Sequence, residues 1–395
     1  GRPSEQLDVI GITGTNGKTT VAWMIAQASE LLEERCAYLG TLGYGVDELR
    51  GTEGMTTPAA VELHGRLAEF IEQGARHAAI EVSSHALSQS RVDGVHFATA
   101  IFTNLSRDHL DYHADMREYF EAKSRLFIDC NPRERIINLD SEYGDQLASM
   151  CGRDVVTVST QFNRVSNGRP FVFVRAVVAT EQGSDISFTS SWGDSRFTLS
   201  MPGDFNVANA VLVLALLLNR GVSLEAACDV MSQLSAPPGR MQRVARDGPA
   251  DYVDYAPTPD ALEGALRAVR AHCRGKLWCV DGCGGDRDAG KRPQMATAAE
   301  KRADLVVVTT DNPRSEDAAA IIDDIVAGIS QRDNLTVIED RAAAIAWAIE
   351  NAADNDVVLV AGKGHEGSQE VACQRTRFYD YAVAESALAA REGSA

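Results

Sequence analysis

At 395 residues, 45% hydrophobic and 24% charged, the chain has the composition of a globular protein, long enough for two or three domains at roughly 150 residues each. A net charge of −18 argues against nucleic-acid or anionic-membrane partners, because both would repel the chain, and any phosphate ligand needs a local positive pocket. The eight cysteines (Cys36, Cys130, Cys151, Cys228, Cys273, Cys279, Cys283 and Cys373) include no C-x-x-C pair, which points away from zinc and disulfide frameworks and fits a reducing cytoplasm.

In chain order, "LDVIGIT" reads as a strand and runs into the loop "GTNGKTT". Val21, Met24, Ile25, Ala28 and Leu32 then recur at helical spacing, so the order is strand, glycine-rich loop, helix. "HAAIEVSS" and "FATAIFTNLS" read as buried parallel strands whose ends carry polar residues, where ligands gather in such sheets. In "DMREYFEAKSRLF", Met116, Tyr119, Phe120, Lys123 and Phe127 share one helical face. Alternating strands are expected from about 155 to 200 with a turn at "WGDS", and helices resume at "NVANAVLVLALLLNRG". "SAPPGRMQRV" has the turn formers of a linker. Beyond it, "KLWCVDG", "ADLVVVTTD", "LTVIED" and "DVVLVAG" alternate with helical stretches, which predicts a second, doubly wound sheet.

The chemistry starts at the loop. Gly14 and Gly17 let backbone N–H groups reach phosphate oxygens, Lys18 supplies a charge, and Thr19 and Thr20 offer hydroxyls to Mg²⁺. The loop is shorter than the usual G-x-x-x-x-G-K-[ST] form, since Ile12 stands where the first glycine belongs. Lys123 falls within an apolar stripe, where a buried ammonium costs several kcal/mol unless paired or chemically altered. A lysine snorkelling to the surface is the plainer alternative. Glu81 and His109 each stand at or just past a strand end, and with the loop hydroxyls they form a candidate Mg²⁺ cluster.

"TGTNGKTT", "MTTP", "EVSSHALSQSRV", "TNLSRDHLDYH", "YFEAKSRLF", "GDFNVANA", "PPGRMQRV", "GCGGDRDAGKRP", "TTDNPRSED" and "VAGKGHE" together resemble the ordered motifs of the Mur ligases, over nearly the whole chain. The resemblance implies an α/β architecture: a central ATPase domain with a phosphate loop, a parallel sheet and a small β-rich subregion (1–238), then a Rossmann-like doubly wound C-terminal domain (239–395). The implied activity is ATP-dependent addition of meso-2,6-diaminopimelate to UDP-N-acetylmuramoyl-L-alanyl-D-glutamate through an acyl phosphate, in peptidoglycan biosynthesis. ATP and Mg²⁺ are the implied cofactors, and a cytoplasmic monomer acting on small molecules is expected.

Residue by residue, the resemblance assigns ATP to Gly14, Thr15, Asn16, Gly17, Lys18, Thr19 and Thr20, with Asn206 and Asn209 nearby. It implies that Lys123 is carbamylated and holds Mg²⁺ with Thr19, Glu81 and His109. Thr56, Thr57, Ser83, Gln89 and Arg91 fall to the UDP-linked substrate. Arg287, Asp311, Asn312, Pro313, Arg314, Gly362 and Glu366 fall to the amino acid. Arg240 is assigned to phosphate or, equally, to an interdomain salt bridge.

Three departures accompany the resemblance. The family's N-terminal uridine-binding domain has no counterpart, and since no methionine opens the chain, removal of an upstream segment is expected. Pro257 stands in "DYAPTPD" where histidine is usual, and Met55 where asparagine often precedes the threonine pair. The alternatives are a lysine-adding or folylpolyglutamate synthetase-like ligase and, in another class, a nucleotide switch or kinase with a binding domain.

Overall fold

The apolar runs of the first half form a ten-stranded sheet. The computed structural model describes residues 2–51, 55–110, 112–161, 164, 166–180, 183–244, 249–256, 258–372 and 374–392. These fall into two compact units: Gly1–Val178, Gln182–Ser200 and Asp204–Ser235 make the first, and Ala179–Glu181, Met201–Gly203 and Ala236–Ala395 the second.

In the first unit the chain begins with β1 (Asp8–Thr13), α1 (Lys18–Leu31), β2 (Cys36–Gly40), β3 (Gly43–Gly45), α2 (Ala60–Glu72) and β4 (His77–Glu81). There follow α3 (Ser84–Ser88), β5 (Thr99–Phe102), α4 (Met116–Ile128), β6 (Glu134–Asn138), α5 (Glu142–Met150) and β7 (Val156–Ser159). The unit ends with β8 (Phe171–Thr180), β9 (Gly183–Ser190), β10 (Gly193–Leu199), α6 (Asp204–Asn219) and α7 (Leu224–Gln233). Strand order is β10-β9-β8-β7-β6-β5-β1-β4-β2-β3. From β8 to β2 every recorded pairing is parallel, and β9–β10 is the antiparallel β-rich appendage.

β1 lies between β4 and β5, with Ile12 beside both Glu81 and Ile101. The loop after β1 and the ends of β4 and β5 therefore open at one edge of the sheet, the usual place for a ligand. On α4, Tyr119, Phe120, Lys123 and Phe127 are all buried, as the helical stripe predicts. α6 is apolar all round and buried nearly throughout, a core helix. Among the described residues, no helix is long and apolar enough to cross a membrane.

The second unit contains β11 (Gln242–Arg243), β12 (Ala250–Asp254), α8 (Pro259–Arg270), β13 (Leu277–Asp281), α9 (Arg292–Arg302), β14 (Leu305–Val308) and α10 (Ala318–Val326). It continues through β15 (Leu335–Val337), α11 (Arg341–Asn351), β16 (Val357–Ala361), β17 (Ser368–Val371), β18 (Gln374–Arg377) and α12 (Asp380–Glu392). Its main sheet runs β11-β12-β16-β13-β14-β15, parallel except for β11. Apolar clusters cover both faces, as a doubly wound sheet requires. Pro257 lies outside the described residues. The seven cysteines among those residues are free thiols.

Candidate active site

Several helices here are capped by side chains, among them Ser83 on α3, Asp115 on α4 and Ser223 on α7. α1 has no such cap: its N-cap is Gly17, left-handed at φ 85°. The N-cap itself thus offers no side-chain acceptor to the first N–H groups of the helix, which suits an anion there. A Cβ at Gly17 would fall 2.3 Å from Asn209 Oδ1, so the loop packs directly on α6, whose first turns also bury Asn206. Lys18 Nζ donates to the Gly14 and Thr15 carbonyls at 3.0 and 2.8 Å. Asn104, two residues past β5, steadies the loop, its Oδ1 accepting from Asn16 N at 3.0 Å.

Glu81 ends β4 fully buried. Its Oε2 accepts from Thr19 Oγ1 at 3.0 Å and Thr41 Oγ1 at 3.2 Å, and its Oε1 from Tyr38 OH at 2.6 Å and Thr41 N at 2.8 Å. The expected pairing of loop hydroxyl and strand-end carboxylate is therefore present. Thr19 and Glu81 are hard oxygen donors of the kind Mg²⁺ prefers, so these two residues fit the ion.

Lys123 is 1% exposed, which excludes the snorkelling alternative. Its Nζ donates to the Gly14 carbonyl at 2.8 Å and lies 4.6 Å from the centre of the Tyr119 ring. Burial, and then the charge of Lys18, hold its pKa well below the ordinary lysine value. His109 stands apart from the expected cluster. Its side chain is 44% exposed, its backbone is left-handed at φ 54°, and its ring meets His85 at 5.0 Å and Tyr119 at 6.0 Å. Among the described residues, no three His, Cys, Asp or Glu side chains form a group able to hold a metal. The structure joins Thr19 to Glu81, then, and leaves His109 outside their hydrogen bonds. The physical reason is that His109 sits on the exposed stretch between β5 and α4, where no strand or helix fixes it.

The residues expected to hold the UDP-linked substrate form one network. Thr57 Oγ1 donates to the Glu81 carbonyl at 2.7 Å and accepts from Ser83 N at 3.0 Å. Arg91 Nη1 donates to the Thr57 carbonyl at 2.9 Å and its Nε to Gln89 Oε1 at 3.0 Å. Thr56 Oγ1 lies 3.4 Å from Thr41 Oγ1. Met55 is exposed, and no contact in the structure explains it.

In the second unit, the turn after β14 holds Asp311, Asn312 and Pro313, all buried, and Arg314 in left-handed geometry at φ 52°. Arg314 Nη1 donates to the Gly285 carbonyl at 2.7 Å, and a Cβ at Gly284 would meet both Arg314 Nη1 and Arg287 Cγ. Gly362 lies against Asp311 Oδ2, and Asn312 Nδ2 donates to Glu366 Oε2 at 2.7 Å. The residues expected to bind an amino acid are therefore close neighbours. Arg240 stacks 4.6 Å over the Tyr255 ring, beside Asp254, whose carboxyl burial raises to about 6.

Residues 12–217 match the Mur ligase middle domain, and residues 239–364 match the Mur ligase glutamate ligase domain. The chain belongs to the Mur ligase family. An enzyme of Coxiella burnetii named UDP-N-acetylmuramoyl-L-alanyl-D-glutamate–2,6-diaminopimelate ligase is 46% identical to this Mur ligase over 98% of the chain and 79% of the relative. One of the same name from Haemophilus influenzae is 45% identical over 97% and 78%. A solved structure bearing that name superposes with a TM-score of 0.76 at 37% identity, over 98% of this chain and 79% of that one. A Mycobacterium tuberculosis folylpolyglutamate synthase, solved with ADP and AMPPCP, shares the fold at TM-score 0.69 and 19% identity, over 91% and 89%.

Sequence reasoning missed several members of this Mur ligase's site. Tyr38 and Thr41, which bind Glu81, come from β2 and the turn after it, a short strand with no motif. Lys363 is buried among the amino-acid residues, yet between two glycines it carries no helical or strand periodicity to mark it.

Proposed function

We propose that this Mur ligase joins meso-2,6-diaminopimelate to UDP-N-acetylmuramoyl-L-alanyl-D-glutamate at the cost of ATP, as a cytoplasmic step of peptidoglycan synthesis. The observation that carries the reading is the 46% identity, over 98% of the chain, to a relative named for that reaction.

The residues have separable tasks. The N–H groups at the start of α1 and the Lys18 ammonium receive the phosphates of ATP. Thr56, Thr57, Ser83, Gln89 and Arg91 hold the nucleotide-linked peptide so that its D-glutamate γ-carboxylate meets the γ-phosphate. The carboxylate attacks phosphorus, ADP departs, and an acyl phosphate forms on the substrate. The amine of diaminopimelate, held by the Asp311–Arg314 turn with Arg287, Gly362 and Glu366, then attacks the acyl carbon. Phosphate leaves and an amide remains. Thr19 and Glu81, with Lys123 as its carbamate and His109 once moved inward, are the residues that would hold Mg²⁺. When bound, that ion neutralises phosphate charge. Positioning and charge neutralisation account for the catalysis, since no protein nucleophile is needed.

Lys123 suits carbamylation because a buried, neutral amine is the form that captures CO₂. The test of the whole reading is phosphate release by the purified chain with ATP, Mg²⁺ and the UDP-linked dipeptide, with and without diaminopimelate. Turnover is expected only with all four present, and phosphate release indifferent to the amino acid would refute a ligase.

A further inference from the structure

Lys363 stands just past β16 and is fully buried. Its Nζ donates to three acceptors: the Ser368 carbonyl at 2.7 Å, Asn312 Oδ1 at 3.0 Å and Glu366 Oε2 at 3.5 Å. An ammonium has three protons and accepts nothing, so this tripod uses all of them. Burial lowers its pKa and the Asp311 charge opposes that shift.

The tripod decides how Asn312 is turned. Lys363 Nζ and Glu370 N, at 3.0 and 2.9 Å, both donate to one atom of the Asn312 amide, so that atom is the oxygen. Nδ2 is thereby aimed at Glu366 Oε2, 2.7 Å away. Glu366 Oε2 is occupied by Asn312 and Lys363, while Oε1 takes part in no hydrogen bond among the described residues. The same turn is tied to β17 by Arg314 N on the Glu370 carbonyl at 3.0 Å and Gln369 Nε2 on the Asp311 carbonyl at 2.8 Å.

We propose that Lys363 is a positioning residue for the amino-acid substrate: by fixing the Asn312 amide and one oxygen of Glu366, it presents Glu366 Oε1 as the acceptor for an ammonium of the incoming diamino acid. This rests on the amino-acid pocket assigned under the proposed function. Without Lys363 the Asn312 oxygen keeps only Glu370 N as a donor, Glu366 loses one of its two anchors, and its carboxylate is held less firmly. Phosphate chemistry, handled by the loop before α1, has no stake in this arrangement.

The test compares wild type with Lys363→Met and Asn312→Asp, each checked for folding by its melting temperature. Asn312→Asp keeps an oxygen for Lys363 and Glu370 but sets a second acceptor against Glu366. Both variants are expected to raise the KM for diaminopimelate by about 10- to 100-fold, the worth of a charged hydrogen bond, with the KM values for ATP and the UDP-linked dipeptide unchanged. In the double variant the two effects should fall well short of multiplying, because both act through Glu366. A loss shared equally by all three substrates, or effects that multiply fully, overturns the proposal. If Lys363→Met does not fold, Lys363→Gln takes its place, and an unchanged diaminopimelate KM in that variant overturns the proposal. A wild-type enzyme indifferent to diaminopimelate overturns the functional reading itself, and the role of Lys363 with it.

Discussion

Lys123 Nζ donates to the Gly14 carbonyl at 2.8 Å, across 109 residues of sequence. That bond ties α4 to the nucleotide loop and places a second amine near Lys18, where burial and then the Lys18 charge disfavour protonation of Lys123. A lysine so placed gives up its proton more readily than a surface lysine, the condition that the proposed carbamylation needs.

The first prediction follows from this. Exposure to ¹³CO₂ is expected to give a carbamate ¹³C signal that disappears in Lys123→Ala. That variant should lose at least about 10²-fold in turnover, as for loss of a group acting on transition-state charge, and regain part of it with a short carboxylic acid. An active wild-type enzyme with no carbamate signal would contradict the assignment.

Glu81 supplies the second. Glu81→Gln preserves shape and can still accept from Thr19 but removes the anionic charge, so the Mg²⁺ concentration needed for half-maximal turnover should rise about tenfold or more. A smaller fall in melting temperature is expected too, since Tyr38 OH and Thr41 N lose a charged acceptor. Titration of turnover with Mg²⁺ is the check, and an unchanged midpoint would remove Glu81 from the metal site.

Arg314 is the third. Diaminopimelate differs from lysine by one carboxylate, and a guanidinium beside Gly284 and Gly285 offers it a planar, two-toothed partner. Arg314→Ala should lose discrimination between the two amino acids by about 10- to 100-fold in kcat/KM, mostly through diaminopimelate. Competition between them measures it. Full discrimination in the variant would place specificity elsewhere.

The fourth concerns stability. Asp251 on β12 is fully buried, neither carboxylate oxygen has a hydrogen-bond partner among the described residues, and burial lifts its pKa from 3.8 to about 8 against the opposing charges of Arg391 and Arg243. The folded state thus binds the proton more tightly than the unfolded chain. Asp251 penalises folding progressively as pH rises from about 4 to about 8, and the full penalty stands above that window. Asp251→Asn should therefore be more stable than wild type at pH 8 and nearly equal at pH 4, with a difference on the order of a few kcal/mol. Denaturant melts across that range test the sign.

Much of this was legible in the sequence because local pattern and chemistry coincide there. The loop announces itself between an apolar strand and a periodic helix, and the Lys123 stripe predicts burial from spacing alone. The parallel strands β4, ending in Glu81, and β5, ending two residues before Asn104, were readable for the same reason. What stayed hidden depends on distant residues meeting. Tyr38 and Thr41 reach Glu81 only because β2 pairs with β4, and Lys363 reaches Asn312 only because the turn after β14 folds over β17. His109 shows the converse, since proximity to a strand end in sequence does not fix a side chain on an exposed loop, and its ring lies outside the Thr19–Glu81 hydrogen bonds.

The central claim is tested most directly by the mass of the nucleotide-linked product. After incubation with ATP, Mg²⁺, the UDP-linked dipeptide and an equimolar mixture of meso-diaminopimelate and lysine, the product should gain one diaminopimelate residue, with one ADP and one phosphate formed per product. A product carrying lysine, or nucleotide hydrolysis with the dipeptide unchanged, would contradict it.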